Sequence, residues 1–396
     1  MRFMLAGWRG KGQPRTMAIK TYGLRAFAGI LLLLSTGAAP AFANPSILFE
    51  LDSGRVLSHE DAFRRWHPAS LTKLMTAYVT FRAIAAGELA LESPIEVTKH
   101  SAGEPPSKMG FKPGSVMTLD NALKMMLIKS ANDIAMAVGE NVGGSERDFV
   151  ARMNGEAVRL GMTDTRFSNP NGLHSPDQYT TARDLGLLVT ALRTEFPQYN
   201  HYFAIQGLTA GKKTLMSYNN LVGRFDGADG MKTGFVCASG FNMIASATRG
   251  DRTLVAVVLG QSSALGRADL AAELLERGFV ATGTASTTLA SLPAYGIPGA
   301  APIDMREEIC NPKKSAAAKS EAAADHEEGA DNSRWKAKLV NPKLAAVGLG
   351  GATGPVPKAW ESRVQYADVP VPTPRPDYTP ATAAASSEQG DAGAVR

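Results

Sequence analysis

Gly240-Phe241-Asn242-Met243-Ile244-Ala245-Ser246-Ala247, then Arg249-Gly250-Asp251, then Thr253-Leu254-Val255-Ala256-Val257-Val258-Leu259-Gly260 read as two apolar strands joined by a glycine-bearing turn. This is the pattern of a long antiparallel hairpin. Directly after it, Leu265 to Phe279 carries Leu270, Leu274, Leu275 and Phe279 on one side of an amphipathic helix. A second hairpin lies far upstream, with Ile47 to Leu51, a turn at Asp52-Ser53-Gly54, and Val56-Leu57. Between the two hairpins the period changes to that of helices. Helical patterns cover Ser70 to Gly87, Leu119 to Ile128, Asn132 to Val142, Phe149 to Leu160 and Thr181 to Leu192, with stops at Gly87, Gly143-Gly144 and Gly161. Strands at both ends of a helical middle predict an α+β fold, an antiparallel β-sheet flanked by helices with an inserted helical lobe.

Length and composition agree with this. The chain has 396 residues, 44% hydrophobic and 20% charged, with 39 Gly, 23 Pro and 2 Cys. That is enough for one large domain or two, and it excludes collagen-like, wholly disordered and disulfide-scaffold proteins. The net charge of +5 is a property of one end. Residues 1–43 hold Arg2, Arg9, Lys11, Arg15, Lys20 and Arg25 and no acid, so the remaining 36 basic side chains face 37 acidic ones. No nucleic-acid partner is implied. The same segment has the three-part layout of a signal peptide: a basic flank at Lys20 to Arg25, an apolar run from Ala26 to Leu34, and Ala41-Phe42-Ala43 as cleavage site. The apolar run is short for a bilayer span. Met17–Ala43 alone already makes a complete signal, and export to the periplasm is expected.

In an oxidising compartment, Cys237 and Cys310 have two readings, a bridge between residues 73 apart or two buried thiols. Beyond about Pro293 the composition shifts. Residues 313–333 are low-complexity Ala, Lys, Glu and Asp, and Pro370, Pro372, Pro374, Pro376 and Pro380 follow. Such a segment buries little apolar surface to offset its ordering entropy. The expected organisation is therefore a signal peptide at 1–43, a folded region at 44–312 and a disordered tail at 313–396, dispensable for chemistry.

Ser70-Leu71-Thr72-Lys73 opens a predicted helix, and a spacing of three puts both side chains on one face. A serine at a helix start lies in positive potential, and a lysine of lowered pKa can take its proton. Ser-x-x-Lys alone is a frequent pattern. Here Ser130-Ala131-Asn132 follows between two helices, and Lys232-Thr233-Gly234 precedes the strand pair, where an edge strand offers backbone hydrogen bonds to an extended substrate. These three motifs in this order are the set of penicillin-binding proteins and related β-lactamases.

Residues 45–280 resemble the D-alanyl-D-alanine carboxypeptidases, the low-molecular-weight penicillin-binding proteins of the bacterial periplasm. The resemblance rests on Pro68-Ala69-Ser70-Leu71-Thr72-Lys73-Leu74-Met75-Thr76, Asn171-Gly172-Leu173, Tyr179-Thr180-Thr181-Ala182-Arg183-Asp184 and Gly230-Met231-Lys232-Thr233-Gly234. It implies Ser70 as acylated nucleophile, Lys73 as its general base and Ser130 as proton relay to the leaving D-alanine. Asn132 would hold the substrate amide, and Lys232 would keep the pocket positive and help hold Lys73 neutral. Thr233 and Arg267, with the Gly234 strand, would bind the terminal carboxylate. The N–H groups of Ser70 and Phe235 would form an oxyanion hole. Peptidoglycan stem peptides are the implied substrates and β-lactams the implied covalent inhibitors. Phe235 departs from the polar or His residue of other members. The tail shows neither a β-rich second domain nor an amphipathic membrane helix, so family-type membrane anchoring stays open. The six histidines have no zinc-peptidase spacing, and no metal or cofactor is expected. A D,D-endopeptidase uses the same motifs. A β-lactamase lacks its E-x-x-L-N signature here, and a noncatalytic scaffold is at odds with an intact Ser70 and Lys73.

Overall fold

The computed structural model describes residues 12, 44–281, 286–297, 299–311, 339–358 and 360. The chain divides into two units, Met1–Ala43 and Asn44–Arg396, and the second carries the elements below. The signal-peptide reading of 1–43, and residues 313–338 and 361–396 of the tail, lie outside the described residues.

In chain order the elements are β1 (Ser46–Glu50), β2 (Val56–Glu60), α1 (Thr72–Ala85), β3 (Pro94–Glu96), α2 (Lys99–Gly103), β4 (Val116–Thr118), α3 (Leu119–Ile128), α4 (Asn132–Gly143), α5 (Glu146–Arg159) and α6 (Ala182–Glu195). There follow β5 (Gly207–Ala210), β6 (Lys213–Met216), β7 (Ala228–Val236), β8 (Gly240–Arg249), β9 (Arg252–Gln261), α7 (Ala264–Val280), α8 (Arg306–Ile309) and β10 (Leu344–Val347). The main sheet has the order β2-β1-β9-β8-β7, with antiparallel neighbours throughout.

The hairpin of residues 240–260 lies inside this sheet, and its side chains sort onto two cores. Met243, Ala245, Ala247, Leu254, Ala256 and Val258 point to one face, where Ala271, Leu274 and Leu275 of α7 cover them. Ile244, Val255, Val257 and Leu259 point to the other, into the larger core shared with α1, α3, α4 and α6, and Phe241 joins them across the irregularity between Phe241 and Met243. Alternation of this kind is what a sheet covered on both faces requires. Helix α1 is buried on nearly its whole circumference from Thr72 to Phe81, which makes it the central helix of the molecule.

Side chains cap the helices that serve structure. Thr118, Ser145, Thr181 and Ser263 accept hydrogen bonds from the first turns of α3, α5, α6 and α7. By contrast, α1 and α4, which begin at the Ser70 and Ser130 motifs, have no side-chain cap. Their starts are given over to other work.

Two expectations need correction. Ser70 lies in a 3-10 turn, Ala69–Leu71, and the α-helix proper begins at Thr72. The folded region also does not end at 312. Residues 339–358 run back over the helical lobe, and β10 joins β5 and β6 as a third strand. The tail reading failed there because local composition is blind to long-range strand pairing, and Val347 alone of β10 is buried.

Cys237 and Cys310 form a disulfide, which resolves the open pairing. It ties the residue just after β7 to the end of α8, beside the Met305 N–H to Ala238 carbonyl bond. Reduction should lower stability by up to about 4 kcal/mol, the chain entropy released when a loop of this size opens. Urea midpoints with and without reductant test this, and an unchanged midpoint would show that the bridge adds nothing.

Candidate active site

Seven segments converge on one cleft of about 660 Å³, lined among others by Ser70, Ser130, Asn132, Thr233, Gly234, Phe235 and Arg267. Every expected site residue is there or bonded to a residue that is. The Ser70 turn is squeezed between two glycines. A Cβ on Gly172 would fall 2.0 Å from the Ala69 carbonyl oxygen, and one on Gly234 would lie 3.1 Å from the Ser70 nitrogen. Gly172 also has φ +85°, so its identity is doubly required.

Backbone strain marks the same place. Ala69 has φ +48° and Ser130 φ +61°, left-handed values that side chains avoid. The first directly precedes Ser70, and the second belongs to Ser130.

Lys73 is fully buried and its amine is held at three points. Nζ donates to Ser70 Oγ at 2.9 Å, to Asn132 Oδ1 at 2.8 Å and to the Asn171 carbonyl at 2.5 Å. Burial brings its pKa from 10.5 down to about 7, although Glu104 and Asp133 pull the other way. Lys232, also buried, donates to Ser130 Oγ at 2.9 Å and to the Thr233 carbonyl at 2.8 Å. Its pKa lies well below the ordinary value, first through burial and then through repulsion by Lys73 and Arg267. Burial is the first cause of the lowered pKa at both amines.

The motif strand β7 is the edge of the main sheet. An edge strand keeps alternate N–H and C=O groups unpaired by its neighbour, and here that edge faces the cleft. Its start is pinned by a buried cluster in which Arg193 of α6 pairs with Asp229 at 3.0 Å and Thr248 Oγ1 donates to Asp229 at 2.7 Å. Its far end is held by Arg267 in the first turn of α7, whose Nη1 donates to the Gly234 carbonyl at 3.1 Å. Phe235 packs on Phe241 with ring centroids 4.3 Å apart, so it presents an apolar surface to the cleft.

Asn132 is committed at both ends of its carboxamide, with Oδ1 on Lys73 and Nδ2 on the Pro105 carbonyl at 3.0 Å. Two contributors escaped sequence reading. Asn171 holds Lys73 through its main-chain oxygen while its side chain donates to Glu104. Asn171-Gly172-Leu173 is part of the family resemblance, but a carbonyl contact leaves no side-chain signature. Tyr218 lines the cleft and its hydroxyl accepts from Lys129 Nζ at 2.7 Å, with no motif to announce it.

Comparison with known proteins agrees with the geometry. A family model for D-alanyl-D-alanine carboxypeptidase, peptidase family S11, matches residues 35–263. D-alanyl-D-alanine carboxypeptidase DacC of Escherichia coli K12 is 37% identical over 240 residues, 59% of this chain and 60% of the relative. DacB2 of Mycobacterium tuberculosis is 32% identical over 63% of this chain and 88% of its own length. Among solved structures, penicillin-binding protein D2 of Listeria monocytogenes in its ampicillin-bound form superposes with a TM-score of 0.55 at 30% identity, covering 60% of this chain and 97% of that one. The chain spans about 60% of the length of the first curated relatives it matches. With its three motifs brought to one cleft and more than half its length matched, the chain belongs to the D-alanyl-D-alanine carboxypeptidase family.

Proposed function

We propose that this protein is an exported serine-type D-Ala-D-Ala carboxypeptidase that removes the terminal D-alanine of peptidoglycan pentapeptides through a Ser70 acyl-enzyme, and that β-lactams acylate the same serine. The observation that carries this reading is the Lys73 amine, buried, of lowered pKa and 2.9 Å from Ser70 Oγ. A neutral amine at that distance takes the Ser70 proton as Oγ attacks the carbonyl of the penultimate residue. The new oxyanion would be met by the N–H groups of Ser70 and Phe235. Ser130, oriented by Lys232, would hand a proton to the departing D-alanine amine. The Lys73 ammonium would then reprotonate Ser130, and in deacylation the neutral Lys73 would take a proton from the attacking water and pass it to Ser70 Oγ as the ester bond breaks. Arg267 and Thr233 supply the positive, hydrogen-bonding end of the cleft that selects a free C-terminal carboxylate over an internal peptide. The chemistry needs no metal.

The deciding experiment is digestion of purified pentapeptide and of cross-linked muropeptide dimer, with D-alanine release and dimer loss followed separately. Release of D-alanine with slow dimer loss is expected. Faster dimer loss would favour a D,D-endopeptidase, and neither activity would overturn the assignment.

A further inference from the structure

The C-terminal segment lies beyond the residues that match the family, yet it is joined to two walls of the cleft. Strand β10 pairs in parallel with β5 from Leu344↔Gly207 to Val347↔Ala210. A Cβ on Gly207 would fall 2.7 Å from Leu344 Cδ2, so the Leu344 side chain lies directly against Gly207. The next residues cross to the helical lobe. The Gly350 N–H donates to the Val116 carbonyl at 2.7 Å, and Asn121 Nδ2 of α3 donates to the Gly348 carbonyl at 3.1 Å. Thr353 and Gly354 both donate to the Glu92 carbonyl, and Trp360 Nε1 donates to Asn141 Oδ1 at 2.7 Å.

Each end of this strap leads to a residue in the cleft. Gln206 is the junction on one side. It exchanges two hydrogen bonds with Lys343, Lys343 N–H to Gln206 Oε1 at 2.6 Å and Gln206 N–H to the Lys343 carbonyl at 3.1 Å. The Gln206 carbonyl in turn accepts from Ser217 N–H at 2.9 Å, and the next residue is Tyr218. On the other side, α3 runs from the strapped Asn121 to Ile128, directly before Lys129 and Ser130. The two routes meet again where Lys129 Nζ bonds Tyr218 and lies 4.9 Å from its ring centroid.

We propose that residues 343–358, with Trp360, are a positioning strap, which holds the Tyr218–Lys129 rim beside Ser130 and thereby sets how tightly the cleft binds an extended peptide. The substrate class rests on the function proposed above. A stem peptide must lie along the rim to reach Ser70, whereas a small β-lactam needs little beyond Ser70, the oxyanion site and the carboxylate pocket. Tyr218 is on this account a positioning and specificity residue, with no part in bond making.

The test is the full chain carrying Ala345→Pro together with Ala346→Pro, which removes ladder N–H groups from β10. Amide exchange of residues 207–218 should speed up. KM for a pentapeptide should rise about tenfold, while acylation by a small penicillin changes less than about twofold. Tyr218→Phe, which keeps the ring and loses the acceptor for Lys129, should reproduce part of the KM rise. Unchanged exchange, or faster exchange with unchanged KM, overturns the proposal, as does an equal loss of peptide hydrolysis and penicillin acylation. If the unaltered chain releases no D-alanine, it is the proposed function that fails, and unchanged exchange at Ser217 and Tyr218 then overturns the strap independently.

Discussion

Ser70→Ala yields a folded protein that takes up no fluorescent penicillin and whose D-alanine release falls by on the order of 10⁶, the scale on which removal of a serine nucleophile is felt. The loss is expected to be confined to chemistry. Ser70 is only partly buried and its hydroxyl accepts from Lys73 Nζ, so alanine leaves neither a large cavity nor a stranded backbone group. The thermal transition should stay close to that of the unaltered protein. Residual covalent labelling would move the nucleophile to another hydroxyl, with Ser130 the obvious alternative because of its own lysine partner.

The second large effect belongs to Lys73. Lys73→Ala should slow acylation by about 10³-fold, a typical contribution of a positioned general base. The pH profile of the unaltered protein carries the sign. Because burial lowers the Lys73 pKa to about 7, the amine is charged below that pH and neutral above it. Acylation should therefore rise as pH increases through about 7 and then level off. Lys73→Arg keeps a cation that does not give up its proton, so its acylation should stay low across the range. A flat profile between pH 5 and 9, or near-normal acylation by the arginine variant, would replace the general base with a purely electrostatic role.

The main sheet was legible because its signal is local. Residues 240–260 spell both strands and their turn, and the boundaries of α3 at Leu119 and Ile128 were read correctly from periodicity. The motif residues were legible because each is a side chain of distinctive type at a fixed spacing. What escaped depends on partners far along the chain. Strands β5, β6 and β10 are four residues each, with β6 almost wholly exposed, so no hydrophobic pattern identifies them. Residues 339–358 follow a low-complexity stretch and are only mildly apolar, and what orders them is hydrogen bonding to Gln206 and Asn121 far along the chain. The Asn171 carbonyl was invisible for a different reason, since any residue has one. The sequence identifies the reacting groups more readily than the backbone that holds them.

Lys73 has one further consequence, which concerns proton uptake on unfolding. Its amine titrates near 10.5 when exposed and at about 7 in the native protein. Between those values the unfolded chain binds a proton there that the folded chain does not, so native stability grows with pH across that window. Below pH 7 the folded state keeps a charged amine out of water, at a cost on the order of 4–5 kcal/mol relative to its alkaline limit. The same burial that makes the base available for catalysis thus works against folding at neutral and acidic pH. The closely packed core around α1 is what makes this tolerable, because Leu74, Met75, Tyr78 and Phe81 are all completely buried on the helix that carries Lys73.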